Sequence, residues 1–227
     1  MYNYKHFRAS EYRFEEFIGP KAGEKAKNFE ATTLDGKKVK LSDFFSKKIV
    51  LEIGSITCPI YQSKKPKMNK LAKKYNNFWF LLLYTREAHP GYKIPSHKSF
   101  KEKFLRAKQL EKDNENRLIL IDDLDGTAHK AYGSMPNSLY VIDTTSKILF
   151  RSDWNDVIAT QDLLEKLEKG QDISGVKKRL RAGSIYEFFR TMHLAGLNAM
   201  IDYILAIPGL IHDSLKLGLK LLKRKHK

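Results

Sequence analysis

The chain has 227 residues, 42% hydrophobic and 11% aromatic, enough for one sizeable core with extensions or two small domains, and too apolar to be disordered. Its formal net charge of +16 suits anionic partners, lipid or nucleic acid. A single cysteine, Cys58, excludes any internal disulfide, so a redox cycle must borrow its second thiol from another molecule.

Residues 1–20 form an arm carrying Tyr2, Tyr4, Phe7, Tyr12, Phe14 and Phe17, expected to be partly helical and packed on the body. It has no apolar run of the secretory kind, which points to a cytoplasmic, reducing location, with peripheral membrane contact a further option. Residues 28–41 read as a hairpin turning at Asp35-Gly36, and 48–53 as a buried strand. A helix over 59–75 follows, with Pro59 in its first turn and Pro66 expected to kink it. Residues 78–85 are apolar on both faces, as in a central parallel strand. A loop over 86–97 leads to an amphipathic helix over 99–112, a strand over 117–121 and a short helix over 127–132. Strands 138–142 and 147–151 close a hairpin, and 159–169 make a last helix. This order describes a thioredoxin-like three-layer α/β fold with a central mixed sheet, over residues 21–170.

Composition changes in the remaining segment, 171–227, read as a helical, apolar and basic tail. Residues 194–211 are mostly apolar but interrupted by Asn198, Asp202 and Pro208. Residues 176–227 hold eleven Lys/Arg against Glu187, Asp202 and Asp213, a net of +8. The leading expectation is an interfacial segment on an anionic membrane surface; packing on the body or in a homodimer comes next, and a true span last. No nucleic-acid-binding module accompanies the charge, so that partner is not expected.

Chemistry concentrates at Cys58. An apolar strand ends at Gly54-Ser55, the thiol follows, and Pro59 opens a helix, so the helix N-terminus is expected to lower the thiol pKa and favour the thiolate. Ser55 and Thr57 are placed to cap the helix. His89, His97 and Glu87, on the loop leaving the neighbouring strand, supply an acid/base set for a nucleophilic thiol. Met135-Pro136 stands where thioredoxin-like folds often bring a proline against the thiol, though the sequence leaves its isomer open. No metal site or bound cofactor is expected.

Four stretches together resemble the iodothyronine deiodinases and their bacterial relatives. Gly54-Ser55-Ile56-Thr57-Cys58-Pro59 is similar to the family's Gly-Ser-Cys-Thr-Sec-Pro, with cysteine in place of selenocysteine. Tyr84-Thr85-Arg86-Glu87-Ala88-His89-Pro90 and Ile94-Pro95-Ser96-His97-Lys98-Ser99 match its two histidine motifs. Ala131-Tyr132-Gly133 through Pro136 to Leu139-Tyr140-Val141-Ile142 matches the fourth. The resemblance spans roughly residues 20–152 and implies reductive dehalogenation of an iodinated phenol. Cys58 would be the nucleophile, His89 and His97 would line the pocket and supply a proton, Glu87 would orient a histidine or join the relay, and Ser55 and Thr57 would position the sulfur through their hydroxyls. The reductant would be an external thiol, glutathione, thioredoxin or similar. Ile56 stands where the family has a further cysteine, which closes an internal sulfur–sulfur route. Asn137-Ser138 replaces an acidic and basic pair. Two other readings remain open: a one-cysteine peroxidase of the peroxiredoxin type acting on a peroxide, and a non-catalytic, membrane-associated protein of the same fold.

Overall fold

The computed structural model describes residues 2–11, 18–179 and 183–225, with side chains described up to Lys216. Strands β1 (Glu30–Thr33), β2 (Lys38–Lys40), β3 (Ile49–Gly54), β4 (Trp79–Tyr84), β5 (Leu118–Ile121), β6 (Leu139–Ile142) and β7 (Ile148–Ser152) form one mixed sheet in the order β2-β1-β5-β4-β3-β6-β7. β3, β4 and β5 are parallel, as their βαβ connections require, and the other pairings are antiparallel, β1–β2 and β6–β7 through short turns. Helices are α1 (Pro59–Lys74), α2 (Phe100–Lys112), α3 (Thr127–Ala131), α4 (Val157–Glu168), α5 (Ile185–Ala195) and α6 (Leu197–Lys225).

The sheet is covered on both sides because its central strands are apolar on both. Ile49, Leu51 and Ile53 of β3 join Leu81 and Leu83 of β4 in a cluster closed by Ala128 of α3 and Tyr132. The alternate residues Val50 and Phe80 pack against Met68 and Leu71 of α1 and Leu163 and Leu164 of α4. Leu82, Ile119 and Ile121 meet Tyr61 of α1 and Ala107 and Leu110 of α2. α1 runs as unbroken helix through Pro66.

Register positions the site. β3 and β4 pair residue for residue from Ile49↔Trp79 to Gly54↔Tyr84, so both strands end level and their outgoing loops emerge side by side. β6 runs antiparallel to β3, with Ile53 N–H donating to Ser138 O (2.9 Å), which brings Pro136 to the same edge. Gly54 must be glycine: a Cβ there would lie 2.6 Å from the Tyr61 ring.

One member of β3 departs from apolar patterning. Glu52 is fully buried and paired with Arg117, whose guanidinium also holds Glu115 (Nη2 to Oε2, 2.7 Å). Asn137 and Asn155 donate to Glu52 Oε1 (2.9 and 2.6 Å), and Tyr61 OH donates to Glu115 Oε2 (2.5 Å). Here one cation serves two buried carboxylates.

The two ends of the chain meet. Of the arm, Ala9–Glu11 forms a single 3-10 turn, and Tyr4 and Phe7 pack on Ala206 of α6; Tyr12, Phe14 and Phe17 lie outside the described residues. α5 packs along α1: Ser184 N–H donates to Ser63 Oγ (2.8 Å) and Arg190 reaches Gln62 (3.3 Å) and Asp113 (3.6 Å). This part of the tail therefore lies on the body.

Arg117→Met should destabilise the fold by about 3–5 kcal/mol, because it strands two buried carboxylates. Urea unfolding followed by circular dichroism measures this, and a loss below about 1 kcal/mol, the range of a surface pair, would contradict it.

Candidate active site

Cys58 is the N-cap residue of α1, with extended backbone (φ −95°, ψ 106°), and Pro59 occupies the first helical position. The strand-to-helix turn thus forms as the local sequence requires, yet its electrostatic consequence is the reverse of the expected one. Cys58 is 1% exposed, and burial pushes its thiol up to about 12, against the pull of the Tyr61 and Ile60 N–H groups and the Lys64 charge. Two amide dipoles and one cation do not offset the loss of water around a thiolate. The resting site holds a thiol.

Glu87 is the hub beside it. Its Oε2 accepts from Thr57 N–H (2.9 Å) and Thr57 Oγ1 (2.7 Å). Its Oε1 accepts from Tyr84 OH and lies 3.5 Å from His97 Nε2. Burial pushes the Glu87 carboxyl up, but His97, Tyr84 and Thr57 together outweigh it and hold the group below its ordinary range. The carboxylate is therefore ionised at neutral pH. His97 Nε2 lies 3.1 Å from Tyr84 Oη, whose hydrogen points to Glu87, so Nε2 carries the imidazole hydrogen. His97 Nδ1 is buried with no hydrogen-bond partner among the described residues.

The hydroxyls of Ser55 and Thr57 serve the neighbouring loop, not the sulfur. Thr57 Oγ1 accepts from His89 N–H (3.1 Å) while donating to Glu87, and Ser55 Oγ accepts from Ala88 N–H (3.1 Å). Neither caps α1. They fix the Glu87–His89 segment against the turn that carries Cys58.

Cys58 and His89 face a common cavity of about 620 Å³. Pro136, Trp154, Phe188 and Tyr203 are among its walls, and among the described residues no arginine lines it. The His89 ring packs edge-on against Phe7 (4.3 Å between centroids) and Tyr203 (5.5 Å), and burial pushes its pKa down to about 3, leaving it neutral at neutral pH. Pro136 reaches the cavity through a trans peptide bond, since no described peptide is cis. His97 and Glu87 do not line the cavity; they stand behind it, around Tyr84. Among the described residues no group of His, Cys, Asp and Glu is arranged to hold a metal ion.

The roof is the part that sequence motifs did not reveal. Phe188 of α5 and Tyr203 and Leu210 of α6 close the cavity from above, and Phe7 of the arm braces His89. The α5–α6 junction also clamps the loop between the two histidines: Lys93 N–H donates to Ala195 O (3.0 Å) and Tyr92 N–H to Asn198 Oδ1 (2.8 Å). Gly91 permits this approach, because a Cβ there would lie 2.2 Å from Ala195 O. Tyr84, by contrast, was within reach of sequence reading, as the last residue of β4 and the first of a histidine motif.

Residues 4–171 match the sequence model of the iodothyronine deiodinases, about three-quarters of the chain. The protein belongs to the iodothyronine deiodinase family. It is 28% identical over 148 residues to thyroxine 5-deiodinase of Gallus gallus, covering 60% of this chain and 57% of that one. It is 29% identical over 106 residues to the human thyroxine 5-deiodinase, covering 42% and 35%. With type I iodothyronine deiodinase of Xenopus laevis it shares 25% over 140 residues, 57% and 55%. The chain thus spans between about a third and little more than half of these relatives' length. The fold is thioredoxin-like: the thioredoxin domain of a thiol-disulfide oxidoreductase from Bacteroides vulgatus superposes with a TM-score of 0.52 at 16% identity, over 68% of this chain and all of that one. A hypothetical protein from Sinorhizobium meliloti gives 0.57 at 15%, over 70% and 90%.

Two measurements test this family member's site. The rate of Cys58 alkylation by iodoacetamide under native conditions should climb about tenfold per pH unit from pH 7 to 10, as expected for a thiol far below its pKa; a plateau below pH 9 would contradict the buried thiol. Glu87 has a depressed folded pKa, so its stabilising contribution is present above the unfolded value of about 4.3 and is lost as pH falls below it. The stability gap between the parent and Glu87→Gln in urea should therefore be widest near neutral pH and shrink toward pH 3; a gap constant with pH would assign Glu87 a role by shape alone.

Proposed function

We propose that this deiodinase family member is a thiol oxidoreductase that removes iodine from an iodinated phenol, using Cys58 as nucleophile and an external thiol as reductant. One observation carries the reading: the single thiol of the chain shares an aromatic-walled cavity of about 620 Å³ with a neutral histidine. That volume falls in the range of small-molecule sites, and the apolar walls with few polar groups suit an aromatic ligand.

The steps follow from the groups present. With the ligand in the cavity, the Cys58 proton passes by way of His89 to the ring carbon in the same step in which the sulfur bonds to iodine and the carbon–iodine bond breaks, so that no buried thiolate–imidazolium pair has to accumulate. The ring is reduced by two electrons and the sulfur is oxidised to a sulfenyl iodide. One external thiol displaces iodide to give a mixed disulfide, and a second releases Cys58 and the oxidised reductant. Two external thiols are needed because the chain has no second cysteine. His97 and Glu87 act as positioning residues: through Tyr84 and Thr57 they hold the loop that presents His89.

The test is iodide release from an iodothyronine or iodotyrosine by purified protein with dithiothreitol. Cys58→Ser should reduce it to background and His89→Ala by about 100-fold or more, the scale of a general acid/base. Rapid hydrogen peroxide consumption without iodide release would move the site to the peroxidase reading.

A further inference from the structure

Among the described residues, eleven of the sixteen exposed large apolar side chains lie on α5 and α6. α6 is apolar on two opposite sides, and the two sides have different fates. Inward, Ala199, Tyr203, Ala206 and Leu210 recur at intervals of three and four residues and meet α5, the arm and the Cys58 cavity. Outward, Leu197, Ile201, Ile204, Ile211 and Leu215 follow the same period with Pro208 between them, and Leu205 and Ile207 widen the stripe. It runs about 27 Å at 1.5 Å per residue. At its end the charge changes abruptly: after Asp213 the chain has no carboxylate side chain, but carries Lys216, Lys220, Lys223, Arg224, Lys225 and Lys227.

We propose that the outward face of α5 and α6 docks flat on an anionic lipid surface, its apolar stripe in the acyl boundary and the basic end among the headgroups. Apolar exposure and positive charge on one helical element match the two attractions of an interfacial helix. A span does not fit: no helix among the described residues is long and apolar enough to cross a membrane, and the inner side of α6 is committed to the body. A second copy fits less well. It would bring the same +8 of residues 176–227 alongside, and the stripe lacks the charged flanks of a coiled-coil seam, having Leu205, Ile207 and Pro208 instead. Nucleic acid would engage the charge but leave the apolar stripe in water. Because Tyr203 and Leu210 of the same helix line the Cys58 cavity, docking holds that cavity beside the lipid.

The test is co-sedimentation of the full chain with vesicles of phosphatidylcholine alone or mixed with phosphatidylglycerol. Binding is expected on the mixed vesicles, about tenfold or more above phosphatidylcholine alone, and should weaken as salt rises. Ile204 and Leu205 are 55% and 74% exposed, so Ile204→Glu with Leu205→Glu should leave circular dichroism and Tm unchanged while cutting vesicle binding at least about tenfold. Lys220→Gln, Lys223→Gln and Lys225→Gln together should cut it about 100-fold without touching the stripe. The proposal is overturned by absence of binding, by equal binding to both vesicle types, or by full binding of the Ile204/Leu205 variant. It is also overturned if the protein is a solution dimer that this variant dissociates, which would assign the stripe to a second copy.

Discussion

The site depends on one buried carboxylate. Glu87 gathers Thr57 from the turn before α1, Tyr84 from the end of β4 and His97 from the far end of the loop. Without an acceptor at that point, the Thr57 N–H and hydroxyl and the Tyr84 hydroxyl would be left in a site from which water is excluded, a cost of the kind that decides local structure. With it, two loops leaving adjacent parallel strands become one rigid surface, and His89 is delivered to the cavity by its backbone bond to Thr57. The carboxylate survives burial because four donors or positive groups converge on it, and it remains charged because their combined effect exceeds the desolvation cost.

Cys58 shows the opposite balance. It receives the helix N-terminal amides and a nearby lysine, yet burial dominates and the thiol stays protonated. Any nucleophilic step at Cys58 therefore has to be coupled to loss of that proton once a ligand is in the cavity. A resting thiol also resists adventitious oxidation, which matters for a chain with no second thiol to rescue it. The walls that enforce this state come from three distant parts of the sequence: Trp154 after β7, Phe188 and Tyr203 from the C-terminal helices, and, behind His89, Phe7 from the arm.

Much of the architecture was legible because it is local. The apolar runs of β3 and β4 have no polar face to expose, so they had to be central strands; Asp35-Gly36 fits a tight turn, and Pro59 fits a helix start. Glu52 was not legible: inside an apolar strand its charge is tolerable only because Arg117 arrives from just before β5 and two asparagines from the loops flanking the closing hairpin. Pro66 lies inside α1, whose helix continues past it to Lys74. The roles of Ser55 and Thr57 were misplaced for a similar reason, since their partners belong to another strand's loop.

The sequence by itself determined where the single thiol sits, at a strand-to-helix turn, and which residues flank it, because strand periodicity, turn chemistry and short motifs are properties of neighbouring residues. It also determined that Cys58 has no internal partner. Only the tertiary structure decided that the thiol is buried and protonated, that His89 reaches the cavity while His97 stands behind it, and that α5 and α6 make the roof. Those outcomes depend on desolvation and on contacts between segments more than a hundred residues apart, and neither quantity is written in any local stretch of the chain.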